Sequence, residues 1–170
     1  MGLAASMSLA QAAAQVADDR TYEGDWYISD DTDNNTGERK VYAFKIHLNS
    51  RDPEFVTLTM RCSNGKPAFY IDWNGLTFPA KAVVSIGPAD QTEAQYVFEK
   101  SEETTEPGLR ASPETSAAIV SAIGNARYAT ITSHLPSGSR SVGIDVAGSQ
   151  GAWSRVSRHC PVRLLPRPPL

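Results

Sequence analysis

Two histidines and two serines are the first side chains to test for chemistry in this 170-residue chain. His47 and His134 fall in strand-like segments, and neither has a Cys, Asp or His neighbour at the spacing of a metal site. Ser139 and Ser141 follow His134, but their segment lacks the G-x-S-x-G pattern of a nucleophile elbow. Serines in a hairpin turn usually serve the turn itself. The sequence therefore predicts no catalytic residue, no metal and no cofactor.

An acidic loop before residue 39 could suggest calcium chemistry. Asp31, Asp33 and Asn35 alternate like the first ligands of an EF-hand loop. The sixth position is Thr36 where Gly is needed, and the twelfth is Tyr42 where a bidentate Glu is needed. The favoured interpretation is a solvated turn.

Cys62 and Cys160 are the two cysteines of the chain. Residues 1–17 are mostly small and apolar with Ala-x-Ala triplets, which predicts a secretory signal peptide, and an Ala-rich helix is the alternative. In an exported protein two cysteines predict one disulfide, whereas a cytosolic protein would keep two free thiols. A bridge would close a loop of about a hundred residues and contribute roughly 4–5 kcal/mol in the chain-entropy model.

Composition and charge narrow the class of protein. With 41% hydrophobic and 21% charged residues, the chain suits one domain, which we place at residues 18–160. A net charge of −3 excludes the basic footprint of a nucleic-acid binder, and no apolar run approaches the roughly 20 residues of a membrane span. Residues 161–170 form a Pro-rich tail that we expect to be mobile. We expect a periplasmic or secreted protein.

The elements that would position any site are mainly strands. The central segment, Phe55 to Trp73, alternates apolar and polar residues on both sides of Asn64-Gly65, which predicts a hairpin whose ladder starts only after Pro67. In the first arm the apolar set that includes Val56 and Leu58 should be buried.

The remaining periodicity predicts four more strand regions before the first helix and a hairpin after it. Residues 22–29 read as one strand, and in residues 39–48 the large set Tyr42, Phe44, Ile46 and Leu48 is expected to face the core. Ser112 and Pro113 begin a helix that ends at Gly124, and a second short helix carries Cys160 toward the core. The fold class is therefore an antiparallel β-sandwich-like domain with one or two short helices and one disulfide.

Binding is the function such a domain most often has. Exposed strand edges pair readily with other chains, and Arg155, Arg158 and His159 form a basic patch near the end of the second helix. We take both as candidate contact surfaces for a protein partner in the cell envelope.

The order of features resembles the periplasmic accessory proteins of bacterial type VI secretion, the VasI/TagO-like family. The resemblance rests on Trp26 with the following Ser-Asp-Asp, the LTMRC run that ends at Cys62, the FYIDW strand that ends at Trp73, the VVSIG and FEKS strands, and the closing Cys160. It implies a non-enzymatic envelope protein that supports the secretion apparatus. A fainter similarity is to small exported proteins of the invasion-associated locus B type, which implies a binding role as well.

Three functional hypotheses follow. The first is a non-enzymatic accessory or adaptor protein that binds an envelope or type VI secretion component. The second is a periplasmic inhibitor of a cell-wall hydrolase, in which the acidic loop from Glu102 to Gly108 would enter the enzyme cleft. The third is a hydrolase that uses His134 or Ser141.

Overall fold

The computed structural model describes residues 21–23, 25–32, 39–48, 55–63, 65–74, 76–101 and 108–160. The predicted signal peptide, the calcium-like positions 33–36, residues 102–107 of the acidic loop and the Pro-rich tail lie outside the described residues. The strands are β1 Thr21–Glu23, β2 Trp26–Thr32, β3 Arg39–Leu48, β4 Phe55–Ser63, β5 Lys66–Trp73, β6 Lys81–Pro88, β7 Ala94–Lys100, β8 Leu109–Ala111, β9 Tyr128–Leu135 and β10 Gly138–Asp145. The helices are α1 Pro113–Ile123 and α2 Ser149–His159.

The described strands form one ten-stranded antiparallel sheet in the order β1-β2-β3-β4-β5-β8-β7-β6-β9-β10. Together with two short helices and one disulfide, this confirms the predicted fold class. Neither helix in the described ranges is long and apolar enough to cross a membrane.

The sheet folds over so that its two halves face each other. Trp73 at the end of β5 donates its indole N–H to the Ser133 hydroxyl of β9 at 2.9 Å, although three strands lie between them in the sheet. Between these halves lies one apolar core, which includes Trp26, Phe69 and Phe98. Because the sheet curls, strands that are far apart in the sheet order pack face to face, as in a β-sandwich.

The central hairpin forms where the sequence predicts it. Val56 and Leu58 are buried as expected, and Gly65 adopts a left-handed φ of 77° in the turn. The pairing, however, runs to the turn, with Ser63 opposite Lys66 and Cys62 opposite Pro67. The expectation that the ladder starts only after Pro67 is therefore wrong, because an antiparallel ladder leaves alternate residues without a bond to the neighbouring strand.

Strand β3 is correct in its bounds and wrong in its orientation. Val41 and Ala43 are buried, whereas Ile46 is 49% and Leu48 is 73% exposed. Helix α2 packs against β3 and β4, and the small side chains let it approach closely. The large apolar set therefore faces outward.

The segment predicted as one strand at residues 22–29 is instead a short hairpin. It divides into β1 and β2, with Tyr22 opposite Tyr27. The alternation within β2 is as predicted, since Trp26 and Ile28 are fully buried and Tyr27 is half-buried.

Helix α1 has the predicted ends. The Ser112 hydroxyl accepts a hydrogen bond from the Thr115 backbone N–H at 3.1 Å, and Gly124 follows the last helical residue.

Candidate binding surfaces

The disulfide joins the middle of the sheet to the end of the second helix. Cys62 lies near the end of β4 and Cys160 directly follows α2, with their Cα atoms 5.4 Å apart and the two residues 98 positions apart in sequence. Ala152 and Val156 of α2 are fully buried against the core. The covalent bond therefore adds to an apolar contact that already holds α2 against the sheet.

The outward side chains of β3 make an apolar surface, which we call the β3 patch: Tyr42, Phe44, Ile46 and Leu48, with Tyr27 of β2. The Phe44 ring lies 4.6 Å from the Tyr27 ring and 6.1 Å from the Tyr42 ring, measured between centroids. The three rings form a half-buried base beside the two exposed aliphatic side chains. Exposed apolar groups that cluster in this way are typical of protein-contact surfaces.

The basic patch predicted from the sequence lies on the last turns of α2. Arg158 is exposed and donates from Nε to the Ser154 carbonyl at 3.3 Å, while His159 Nδ1 lies 2.8 Å from the Arg155 carbonyl oxygen. Basic side chains stabilise the C-terminal end of a helix, where carbonyl groups lack intrahelical partners. The side chains of Arg158 and His159 therefore have a local structural role at the end of α2. A role of Arg155, Arg158 and His159 in binding stays a prediction.

His134 belongs to a network of hydroxyl groups on the outer face of the sheet. Its Nε2 lies 2.9 Å from the Ser85 hydroxyl and its Nδ1 lies 3.1 Å from the Ser139 hydroxyl. A second bond of 2.9 Å joins the Thr132 and Ser141 hydroxyls. The sequence indicated the proximity of His134 and Ser139 through their hairpin, but not that of Ser85, which comes from a different part of the chain.

The contact between Ser85 and His134 resembles a catalytic serine–histidine pair, but Ser85 does not lie where a nucleophile usually lies. Ser85 is 7% exposed in the middle of β6, which pairs with β7 on one side and β9 on the other. An acyl-transfer site needs free N–H groups or other donors where the oxyanion develops. The backbone N–H groups near Ser85 belong to a strand that is paired on both sides. We therefore favour a structural role for the His134 network, in which it links neighbouring strands, over a catalytic one.

A cavity of about 530 Å³ opens on the outer face of the sheet where β8 is too short to separate β5 and β7 along their whole length. Its lining comprises Lys66, Ala68, Val97, Glu99, Arg110, Ala111, Ser112, Pro113 and Thr115. We call it the β5–β7 slot. The sequence did not indicate it, because a three-residue strand carries almost no periodic signal.

Three carboxyl groups with shifted pKa values lie in separate parts of the structure. Burial raises the pKa of Asp72. Burial also opposes the ionisation of Asp145, but the Ala147 backbone N–H and the Lys45 ammonium outweigh it and hold its pKa below the usual value. At the start of α1, the pKa of Glu114 is lowered by a backbone N–H, then by the Ser112 hydroxyl and Lys66. No cluster of three His, Cys, Asp or Glu side chains in the described part of the chain could hold a metal ion.

The fold is known from a solved structure. The crystal structure of invasion-associated protein B from Bartonella henselae superposes with a TM-score of 0.55, covering 81% of this chain and 94% of that one at 10% sequence identity. A likeness at this identity concerns the fold alone. No family model and no curated protein matches the chain.

Proposed function

We propose that this chain is an exported, non-enzymatic accessory protein that binds a protein of the cell envelope through the β3 patch. The observation that carries the proposal is the outward set of β3, in which Leu48 is 73% and Ile46 is 49% exposed. Complete burial of a fully exposed Leu or Ile contributes on the order of 1.5–3 kcal/mol, so a partner that covers the exposed parts of Leu48 and Ile46 would gain a part of this.

The disulfide supports the export part of the proposal. The Cys62–Cys160 bond is of a kind that persists in oxidising compartments. The likeness to invasion-associated protein B agrees with the fainter of the two family resemblances in the fold.

The class of partner comes from the stronger resemblance. The VasI/TagO-like features imply a component of the type VI secretion apparatus, and we propose such a component as the partner of the β3 patch. The patch of Arg155, Arg158 and His159 is a second proposed contact surface. It presents positive charge, which would suit an acidic region of the same partner.

Site-specific photo-crosslinking in living cells would test the proposal. A photoreactive phenylalanine analogue replaces Leu48 in one strain and the exposed Ser121 of α1 in a second strain. We expect one discrete adduct from position 48 and none from position 121, with a type VI secretion component identified in the adduct by mass spectrometry. Adding R158E to the position-48 strain should weaken the adduct if the basic patch contributes.

Three results would change the proposal. Equal adducts from positions 48 and 121 would indicate random collision and remove the β3 patch as the contact surface. An adduct that contains only a lysozyme would replace the accessory role by the inhibitor role. Protein found only in the cytoplasm, with reduced cysteines, would remove export itself.

A further inference from the structure

We propose that the β5–β7 slot binds an extended, carboxylate-bearing segment of a partner protein, which pairs with the open edge of β7. This site differs from the β3 patch in position and in mode of recognition, so it goes beyond the function proposed above. The inference is carried by the pairing of the three strands that border the slot.

Strand β7 is paired with β8 along less than half of its length. The ladder between them covers Phe98 to Lys100, opposite Ala111 to Leu109, and the chain then leaves the sheet to begin α1. On its other side β7 pairs with β6 from Ala94 onward. The part of β7 before Phe98 therefore has a neighbouring strand on one side only within the described residues.

The backbone groups on that open side can be assigned. The Lys100 N–H donates to the Ala80 carbonyl on the β6 side at 2.9 Å, and the Ser101 N–H donates to the Gly108 carbonyl on the β8 side at 2.8 Å. Backbone groups of successive strand residues point to opposite sides. The N–H groups of Val97 and Gln95 therefore face the slot, as the N–H of Ser101 faces β8.

On the opposite wall of the slot, β5 offers no free N–H at positions 67 and 69 for an added strand. The Phe69 N–H of β5 donates to the buried Ser116 hydroxyl at 2.9 Å, and Pro67 has no N–H to offer. A segment that enters the slot would therefore take its backbone hydrogen bonds from β7, while β5 and the first turn of α1 supply side-chain contacts. This is recognition by strand addition.

The side chains that line the slot determine what suits it. Val97 is 59% exposed and, with Ala68, gives an apolar wall. Lys66 and Arg110 are cationic, and the third charged residue of the lining, Glu99, lies 3.4 Å from the Lys81 ammonium.

The charge at the slot is positive overall. Three cationic and two anionic side chains lie at or beside the slot, which leaves one positive charge: Lys66, Arg110 and Lys81 against Glu99 and Glu114. The N-terminal end of α1 adds partial positive charge. An acidic side chain or a terminal carboxylate would complement this field. A cavity of about 530 Å³ lies within the ordinary size range of ligand sites, roughly 300–1,000 Å³.

A display library of random octapeptides, selected on the oxidised protein, would test the proposal. We expect the recovered peptides to be rich in β-branched residues with at least one Asp or Glu. One synthetic peptide from the selection is then titrated into the isotope-labelled protein, and amide signals of Gln95 and Val97 should shift.

Two matched proline variants distinguish binding at the edge of β7 from binding at the outward edge of β10. V97P removes an N–H that faces the slot, and G143P makes the same change on the outward edge of β10, where an added Cβ would meet nothing within 4 Å. We expect V97P to abolish peptide binding and G143P to leave it unchanged, with thermal unfolding used to show that both variants fold. K66E should weaken peptide binding about tenfold, because a charge-assisted contact is lost. K100E, at the far end of β7, should leave peptide binding unchanged.

The outcomes are decisive in either direction. Peptides that bind V97P as tightly as the parent protein, or that shift the amides of β10 instead of β7, would overturn the assignment, as would a selection that enriches no peptide. If V97P does not fold, K66E and the amide shifts still decide. An I46T variant that keeps peptide binding would show that the slot and the β3 patch act separately, so the failure of either one leaves the other to be tested.

Discussion

The indole N–H of Trp73 and the hydroxyl of Ser133 are joined by a buried hydrogen bond of 2.9 Å that crosses the interior between the two halves of the folded sheet. Trp73 is 5% exposed and Ser133 is fully buried. The bond therefore satisfies the polar atom of a large core side chain and fixes how β5 faces β9.

Replacement of Ser133 by alanine should destabilise the protein by about 1–3 kcal/mol, because it leaves the buried indole N–H without its acceptor. Chemical denaturation monitored by tryptophan fluorescence measures this change. S141A is the matched control, since the Ser141 hydroxyl bonds to Thr132 on the exposed face and its loss should cost less than about 0.5 kcal/mol. A similar cost for both variants would argue against the cross-sheet bond.

Asp145 should give the protein an acid-sensitive ion-pair cluster. Its carboxylate lies 3.5 Å from the Lys45 ammonium and 3.8 Å from Arg127, and its pKa is lowered in the folded state. A lowered folded pKa adds stability above the unfolded value of about 3.9, and this is lost as the pH falls through the folded pKa.

D145N should therefore be less stable than the parent by about 1 kcal/mol at pH 7, and the difference should be smaller near pH 3. Urea unfolding at the two pH values measures the difference. A difference that is the same at both pH values would mean that lost packing, and not lost charge, explains the effect.

Asp72 should show the opposite dependence. Burial raises its folded pKa, so its protonated form stabilises the protein below the unfolded pKa and that contribution is lost as the pH rises through the folded pKa. D72N, which is never charged, should equal or exceed the parent in stability at pH 7 and lose this advantage near pH 3. The urea series used for D145N applies, and a D72N protein much less stable than the parent at pH 7 would contradict this interpretation.

The β3 patch should tolerate polar substitution in the free protein. L48T and I46T replace exposed side chains on a strand with another β-compatible residue, so stability should change by less than about 0.5 kcal/mol. Recovery of the proposed envelope partner by affinity purification should fall strongly for both variants. I28T, which introduces a hydroxyl into the core, is the contrasting variant and should unfold the protein at lower denaturant concentration. Unchanged recovery with L48T would exclude the patch from the contact.

Local patterns in the sequence were sufficient for most elements and for the fold class. The Val56–Leu58 alternation, the Ser112 cap and the two cysteines each act through near neighbours or through one covalent bond, and each was interpreted correctly. Which face of a strand is buried, in contrast, depends on elements that are distant in sequence. Both faces of β3 carry apolar residues, and the packing of α2 from the far end of the chain decides that Val41 and Ala43 lie inside.

The candidate sites were less accessible to prediction than the fold. The β5–β7 slot depends on where β8 ends, and the partners of His134 and Trp73 come from strands remote in sequence. Arg155, Arg158 and His159 could be placed on a helix from the sequence. The bonds from the Arg158 and His159 side chains to helix carbonyls, however, depend on side-chain geometry. Periodicity indicates which residues share a face, and the tertiary fold determines what that face meets.

The Cys62–Cys160 disulfide ties β4 to the end of α2, and the proposed export requires that this bond be present in the protein as the cell makes it. The direct measurement is the mass of the protein taken from its native cells, unfolded and alkylated before and after reduction. Alkylation of neither Cys62 nor Cys160 before reduction, and of both after it, is the predicted result. Alkylation of both cysteines without reduction would contradict the proposed export, because the protein would then reside in a reducing compartment with α2 held by packing alone.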